Sequence, residues 1–191
     1  MPLSESELIK QAQKGSRTAQ AEIVYQHERM VYNLALRLLG NNEDAENVLQ
    51  ETFLKVLESL HTFKGESSLS TWIYRIATNF ALMRLRKRKT QFVSLDDYPI
   101  DVSMDFRDFN QSISNDPLQA LLNYELRDVL NTAIEKLPLK FKSVFVLKDI
   151  EGLSLNEISE MLNMSLPAVK TNLHRARLFL RDQLAEYVGK K

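Results

Sequence analysis

Apolar residues recur at three- and four-residue spacing along most of the chain, which is the period of one face of an α-helix. The pattern predicts eight helices, over 4–14, 17–39, 42–60, 70–89, 118–136, 139–150, 154–162 and 165–188. The longest break, over 91–117, is rich in aspartate. Few β-branched residues alternate with polar ones and there are only five glycines, so we predict an all-helical protein.

The long break divides the predicted helices into two groups. Residues 1–90 form the first and residues 118–191 the second, and each group is large enough to fold as a small domain. A loop as long as 91–117 is unusual inside a compact domain, so we expect this segment to be a flexible acidic linker. The predicted architecture is therefore two small helical domains joined by that linker.

Residues 154–177 have the pattern of a helix-turn-helix. Ser154 and Glu157 fit a capping box, Asn163 stands at the break where a left-handed backbone is often needed, and Ser165 is a good N-cap for the second helix. The apolar seam of that helix is Val169, Leu173, Ala176 and Leu180. Its outward face is Lys170, Thr171, His174, Arg175 and Arg177. Because no acid occurs over 166–181, this face favours the DNA major groove over a merely solvated surface.

The helix predicted over 70–89 carries a second basic surface. Its C-terminal end holds five cations: Arg84, Arg86, Lys87, Arg88 and Lys89. Complementing the helix dipole accounts for only part of this charge, so the cluster predicts phosphate binding. We expect Ser70 to cap the helix. The residues expected to pack inward are Trp72, Ile73, Ile76, Phe80 and Met83. The opposite face is then Arg75, Thr78, Asn79, Leu82 and Arg86, on which the Asn79 amide can contact a base edge.

Two neighbouring segments add candidate contacts. The loop with Phe63 and Lys64 has the composition of a single-strand binding loop, although a core position is the stronger interpretation for Phe63. The helix over 42–60 is acidic, and we expect Asn42 to cap it. Its residues Asp44, Glu46, Gln50 and Glu51 are predicted to face a basic protein surface, with a plain solvated face as the alternative.

Composition narrows the possible functions. The net charge is zero, but the basic and acidic residues are segregated, which allows separate partners for each. There is no cysteine, the three histidines have no metal-ligand spacing, and no glycine-rich phosphate loop occurs. We therefore expect no enzyme, no catalytic residue, no metal and no cofactor. No signal peptide or bilayer-length apolar run is present, so we expect a cytoplasmic protein without membrane insertion.

Three of these segments, in this order, resemble the extracytoplasmic-function sigma factors of bacterial RNA polymerase. They are DAENVLQETFLKV, STWIYRIATNFALMRLRKRK and, after the acidic break, the stretch from LPLKFKSVFVLKDIEG to NLHRARLFL. The resemblance covers about residues 17–185. It implies two helical domains, region 2 and region 4, and a subunit that directs core RNA polymerase to promoter DNA in transcription initiation. Members of this family are typically held inactive by an anti-sigma factor.

The resemblance also implies roles for individual residues. Polymerase binding falls to Asp44, Gln50 and Glu51. Reading and melting of the −10 element falls to Lys64, Arg75, Asn79 and Arg86. Binding of the −35 element falls to Ser165, Lys170, Thr171, His174 and Arg175. The sequence departs from the family pattern at Asn47 and Met83, where acids are common, and at Asn163 and Pro167, where glycine is common.

Two other classes compete with this interpretation. A stand-alone homodimeric helix-turn-helix repressor uses the same motif, and it predicts a palindromic site bound tightly without polymerase. An enzyme requires a pocket with perturbed catalytic groups, and the pair Asp96–Asp97 lies in the predicted linker, where nothing is expected to perturb it. We therefore expect a sigma factor without catalysis of its own.

Overall fold

The computed structural model describes residues 4–88 and 128–188, and every regular element in these two ranges is helical. The helices are α1 (Glu5–Gln13), α2 (Arg17–Leu39), α3 (Asn42–Ser59), α4 (Leu69–Arg88), α5 (128–136), α6 (Leu139–Phe145), α7 (Leu155–Leu162) and α8 (Leu166–Val188). A 3-10 turn, Leu60–Thr62, follows α3, and a π-helical stretch, Val146–Ile150, continues α6. The all-helical, two-domain prediction is confirmed. The predicted linker, the side chain of Arg88, Lys89 and the predicted start of a helix at 118 lie outside the described residues.

The first domain is built around α2, which packs against α1, α3 and α4. Ile23, Leu34, Val48 and Ile73 are fully buried where these helices meet. The chain reverses between α2 and α3 at Gly40, whose φ of 73° lies in the left-handed region that a residue with a Cβ rarely adopts. The predicted limits of α2, 17–39, are confirmed.

In the second domain α6 and α7 pack against α8, and the π-helical continuation of α6 contacts α7. Val144, Leu147 and Ile158 are fully buried in this packing, and Leu173 of α8 is buried beside them. The backbone of Glu151 donates to the carbonyl of Val146 at 2.9 Å, which closes the π-helical turn before Gly152. Gly152, with a φ of 76°, then takes the left-handed backbone that ends this helix.

Two predicted caps are wrong by one or two positions. The cap of α3 is Asn41, whose side chain accepts a hydrogen bond from the backbone of Asp44 at 2.9 Å, so Asn42 is already helical. At α4 the Ser68 hydroxyl accepts from the backbone of Thr71 at 3.0 Å. In each case a second capping residue type lies nearby, and sequence spacing alone does not choose between them.

The predicted faces of α4 are also partly wrong. Thr78 and Leu82, which we expected on the outward face, are buried, and Met83, which we expected inside, is 51% exposed. The cause is that α4 packs against both α2 and α3, so its buried face is wider than a single stripe and is rotated from it. Arg75, Asn79 and Arg86 remain exposed as predicted.

Candidate nucleic-acid interface

The turn of the helix-turn-helix has the local geometry that its sequence predicts. Glu157 donates its backbone N–H to the Ser154 hydroxyl at 3.2 Å, and its carboxylate accepts from the Ser154 backbone at 2.8 Å, which completes the capping box. Asn163 is left-handed, with φ 50° and ψ 49°. Ser165 accepts from the backbone of Ala168 at 3.3 Å and caps α8. These three features fix the angle at which α8 leaves α7.

The predicted seam of α8 is buried, and this orients the opposite face outward. Val169, Leu173, Ala176 and Leu180 are all buried. On the outward side, Ser165, Lys170 and Thr171 are exposed near the start of the helix, while His174 and Arg175 are half-buried one turn later. The first two turns of α8 are therefore exposed, and these are the turns through which a recognition helix contacts the major groove.

Arg177, the last residue of the predicted outward face of α8, is engaged within the protein. Its Nε and one terminal nitrogen donate to the two carboxylate oxygens of Asp149 at 2.8 and 2.7 Å. This two-point pair ties α8 to the end of the π-helical stretch. Arg177 thus has a structural partner that the helical period of α8 does not disclose.

On the first domain, α4 and the loop before it form a second polar surface. Arg75, Asn79, Arg86 and Lys87 are exposed along α4, and Lys64 is exposed in the loop. Phe63 packs against Trp72 with ring centroids 5.3 Å apart, in contact with the hydrophobic core. The core interpretation of Phe63 is therefore confirmed, and the basic and amide side chains are the groups of this surface that a nucleic acid can reach.

The two domains meet where α4 and α2 face the second domain. Arg75 donates to Glu160 at 2.8 Å, and the Thr71 hydroxyl donates to Glu157 at 3.0 Å. Glu151 accepts from the Tyr74 hydroxyl and from Arg37, both at 2.5 Å. Glutamates within and just before the helix-turn-helix therefore occupy donors of the first domain, including Arg75, a predicted −10 contact.

Charge and burial at this junction shift two ionisation equilibria. Burial, with the hydrogen bond to Glu151, raises the pKa of the Tyr74 phenol above its ordinary value, so the hydroxyl stays a donor. Hydrogen bonding with Ser154, helped by Thr71, holds the pKa of Glu157 below its ordinary value. Both shifts favour the protonation states that the observed hydrogen bonds need at neutral pH.

The acidic helix α3 has an exposed side that includes an apolar residue. Glu46 and Gln50 are exposed, whereas Asp44 and Glu51 are paired with Arg84 of α4. Leu54, one turn beyond Gln50, is 71% exposed, and the prediction of this surface missed it. The signal in the sequence is that Leu54 falls outside the helical period of the buried residues Ala45, Val48 and Val56, and an exposed leucine beside a polar patch is typical of a protein-binding surface.

Two other kinds of site, for a metal ion and for a membrane, are not found among the described residues. No group of three or more His, Asp or Glu side chains in these ranges is arranged to hold a metal ion. Within the same ranges, none of the helices combines the length and apolar character needed to cross a bilayer. The polar surfaces of α3, α4 and α8 are thus the candidate sites.

Comparison with known proteins accounts for this combination of surfaces. Residues 23–91 match Sigma-70 region 2, and residues 127–180 match Sigma-70, region 4. The ECF RNA polymerase sigma factor SigW of Bacillus subtilis is 38% identical over 93% of this chain and 95% of its own length. The ECF RNA polymerase sigma-E factor of Haemophilus influenzae is 29% identical over 95% of this chain and 96% of its own.

Solved structures share the fold. CnrH, solved in complex with the cytosolic domain of CnrY, superposes with a TM-score of 0.64 at 23% identity, covering 94% of this chain and 96% of that one. The sigma factor RpoE of Bartonella quintana, solved with the anti-sigma factor NepR, gives 0.61 at 19% identity, covering 86% and 96%. Both sigma regions occur in this chain, which does not favour a stand-alone repressor. The chain belongs to the extracytoplasmic-function (ECF) sigma factors of bacterial RNA polymerase.

Proposed function

We propose that this chain binds core RNA polymerase and directs it to promoters, with no catalysis of its own. Residues 1–90 bind the polymerase and the −10 element, and residues 118–191 bind the −35 element. The observation that carries the proposal is the presence of two separate outward polar surfaces, on α4 and α8, together with an exposed acidic surface on α3. A single DNA-binding domain needs only one of these three surfaces.

The two DNA surfaces perform different tasks in this proposal. The start of α8, with Lys170 and Thr171, enters the major groove of the upstream duplex. The α4 surface, with Lys64, Asn79 and Arg86, holds the strand that opens, because an amide reads base edges while cations neutralise phosphates. Contacts to the opened strand stabilise it relative to the duplex, and the polymerase catalyses RNA synthesis.

The partners proposed for the remaining surface are proteins. Glu46, Gln50, Glu51 and Leu54 on α3 offer acids beside an exposed leucine, which suits a basic surface of core polymerase. Control by an anti-sigma factor is supported by the similar RpoE, which was solved with NepR. Because core polymerase and promoter DNA are in the bacterial cytoplasm, we expect the protein to act there.

Reconstituted transcription tests the proposal. Start sites mapped after overexpression of the chain provide a candidate promoter, which is transcribed with core polymerase in the presence and absence of the purified protein. We expect transcripts that require the protein and disappear when the −10 or −35 element is scrambled. If no promoter-dependent transcripts are formed, the proposal is wrong. Tight binding to a palindromic duplex without polymerase supports a repressor instead.

A further inference from the structure

Arg84 reaches from α4 to two carboxylates of α3. Its Nη1 donates to Asp44 Oδ1 and its Nη2 donates to Glu51 Oε1, each at 2.9 Å. Asp44 and Glu51 are seven residues apart, which is two turns of helix, so they lie on the same side of α3. One guanidinium thereby joins Asp44 to Glu51, and Glu51 belongs to the surface proposed to bind polymerase.

The two carboxylates are held to different degrees. The Asp44 side chain is only 14% exposed, and its second oxygen accepts from the Asn41 amide at 3.1 Å, so both oxygens have donors. The Glu51 side chain is 43% exposed, and its second oxygen has no hydrogen-bond partner among the described residues. Asp44 therefore anchors the cluster, and Glu51 keeps an oxygen for an incoming donor.

The guanidinium gives up part of its own hydrogen bonding to make this bridge. Its Nε is buried and has no hydrogen-bond partner within the described ranges. A buried unpaired donor is costly, so the position of the group is determined by the two carboxylates. The planar fork of arginine can span both acids, whereas a lysine ammonium pairs with one at a time. The hydrogen bond to Glu51, followed by that to Asp44, also raises the pKa of Arg84.

The neighbouring cations of α4 do not share this arrangement. Arg86 and Lys87 are exposed, and neither forms an ion pair with any described residue. A phosphate can be bound by these two side chains without breaking an ion pair to any residue that the structure describes. The same contact from Arg84 requires it to leave two carboxylates at once.

We propose that Arg84 is a positioning residue for polymerase binding and not a phosphate contact. It rests on the proposed function, because the α3 surface must be the one that meets polymerase. Arg84 holds Glu51 at a fixed place relative to Glu46 and Gln50, so that the acidic surface is ordered before the partner arrives. This assignment revises the prediction that places Arg84 with the DNA-binding cations.

The affinity of the Arg84→Gln variant for core polymerase distinguishes a positioning role of Arg84 from a simple effect of its charge. Replacing Arg84 by glutamine makes the α3 surface more negative, so charge alone predicts tighter binding to a basic partner. Loss of positioning predicts weaker binding, by about tenfold for a bridge that joins two acids. The Arg84→Lys variant keeps the charge and one pair, and we expect its affinity to lie between wild type and Arg84→Gln.

Labelled protein titrated with core polymerase provides the test. Arg29→Gln, an exposed substitution on α2 with the same change of charge, is the control for core affinity, and thermal unfolding verifies each fold. Arg86→Gln is the comparison for the salt dependence of −10 strand binding by the holoenzyme. We expect Arg84→Gln to weaken core binding and leave the salt slope unchanged, and Arg86→Gln to lower the slope by about one.

The possible results distinguish failure of the positioning role of Arg84 from failure of the proposed function. Core binding by Arg84→Gln that equals or exceeds wild type overturns the positioning role, as does a fall in its salt slope to match Arg86→Gln. If Arg84→Gln unfolds, Arg84→Lys decides, because undiminished core affinity in that variant excludes a need for the two-acid bridge. Failure of the wild-type chain to bind core polymerase overturns the proposed function itself. Normal core binding by Glu51→Gln supports the function and rejects the positioning role of Arg84.

Discussion

Helices α4 and α8 carry the candidate DNA contacts of the two domains, and they differ in how far their cations are already occupied. On α4, Arg75 pairs with Glu160 across the domain junction, and Arg84 bridges two acids of α3. At the start of α8, Lys170 and Thr171 are exposed, and within the described ranges Lys170 has no ion pair. The two helices are similar in composition, but more of the basic side chains named on α4 are already paired with carboxylates.

The difference follows from what covers each helix. Among the described elements, α6 and α7 cover the seam of α8, and Lys170 and Thr171 in its first turns are exposed. α4 lies between α2 and α3 and also touches α7, so acids from two directions reach its cations. A carboxylate and a phosphate compete for the same guanidinium donors. If the proposed assignments hold, Lys170 can contact duplex DNA without leaving a described carboxylate, whereas Arg75 and Arg84 on α4 must first leave theirs.

The largest expected effect concerns base reading by α4. Asn79 is exposed and makes no hydrogen bond to any described residue through its amide, so the amide is available without an exchange. We expect Asn79→Ala to cost about 1–3 kcal/mol at one base of the −10 element. Abortive transcription by the holoenzyme on templates substituted one base at a time measures this. Equal loss on every template contradicts a base-reading role.

The second prediction concerns Glu157, which connects α7 to α4. Glu157 caps α7 and also accepts from Thr71 of α4. We expect Glu157→Ala to cost about 1 kcal/mol of unfolding free energy, and Glu157→Gln less, because glutamine can retain the capping box. Urea denaturation at pH 7 gives both values. Equal stability of Glu157→Ala and wild type contradicts the structural role.

The same variants give a pH dependence of known sign. Because the folded pKa of Glu157 lies below its ordinary value of 4.5, its stabilising contribution is complete above 4.5 and is lost as pH falls through the folded pKa. Wild type should therefore lose more stability than Glu157→Gln when the pH is lowered from 7 to below 4.5. Parallel pH curves for the two proteins contradict a depressed pKa.

A third prediction concerns Lys170, an exposed cation near the start of α8. Lys170 forms no ion pair with any described residue, so we expect Lys170→Ala to weaken −35 duplex binding on all sequences and to lower the salt slope by about one. Affinities of the holoenzyme for an upstream duplex, measured over a range of salt concentrations, supply the slope. Arg181→Ala, a more distal exposed substitution on α8, is the matched control. Sequence-selective loss in Lys170→Ala contradicts a phosphate contact.

The parts of this molecule that could be predicted from sequence depend on short-range interactions. The capping box of Ser154 and Glu157, the left-handed Asn163 and the Ser165 cap are each formed by residues no more than three positions apart. Their hydrogen bonds follow from local backbone geometry, so residue type and spacing suffice. The buried seam of α8 was predictable for the same reason, since it follows a single helical period.

The parts that could not be predicted depend on which elements meet in three dimensions. Thr78 is buried because a second helix covers that side of α4, and helical periodicity does not say how many neighbours a helix has. The partners of Arg84 lie 40 and 33 residues away along the chain, and Glu160 lies 85 residues from Arg75. Charge patterning identifies all of these residues as polar surface, but the pairing between them requires the tertiary packing.

The smallest predicted effect tests the occupied state of α4 directly. Glu160→Gln removes the acid that pairs with Arg75, so the isolated protein should bind a −10 single strand more tightly, by up to about fivefold for an exposed ion pair. Glu28→Gln, exposed on α2 and equal in charge change, controls for the general loss of a negative charge. Fluorescence anisotropy with a labelled strand at low salt measures both. The gain should disappear in the Arg75→Ala background, because the two substitutions then act on one pair. An equal gain from Glu28→Gln, or a gain that persists without Arg75, shows that Glu160 does not compete with DNA and removes the distinction drawn between α4 and α8.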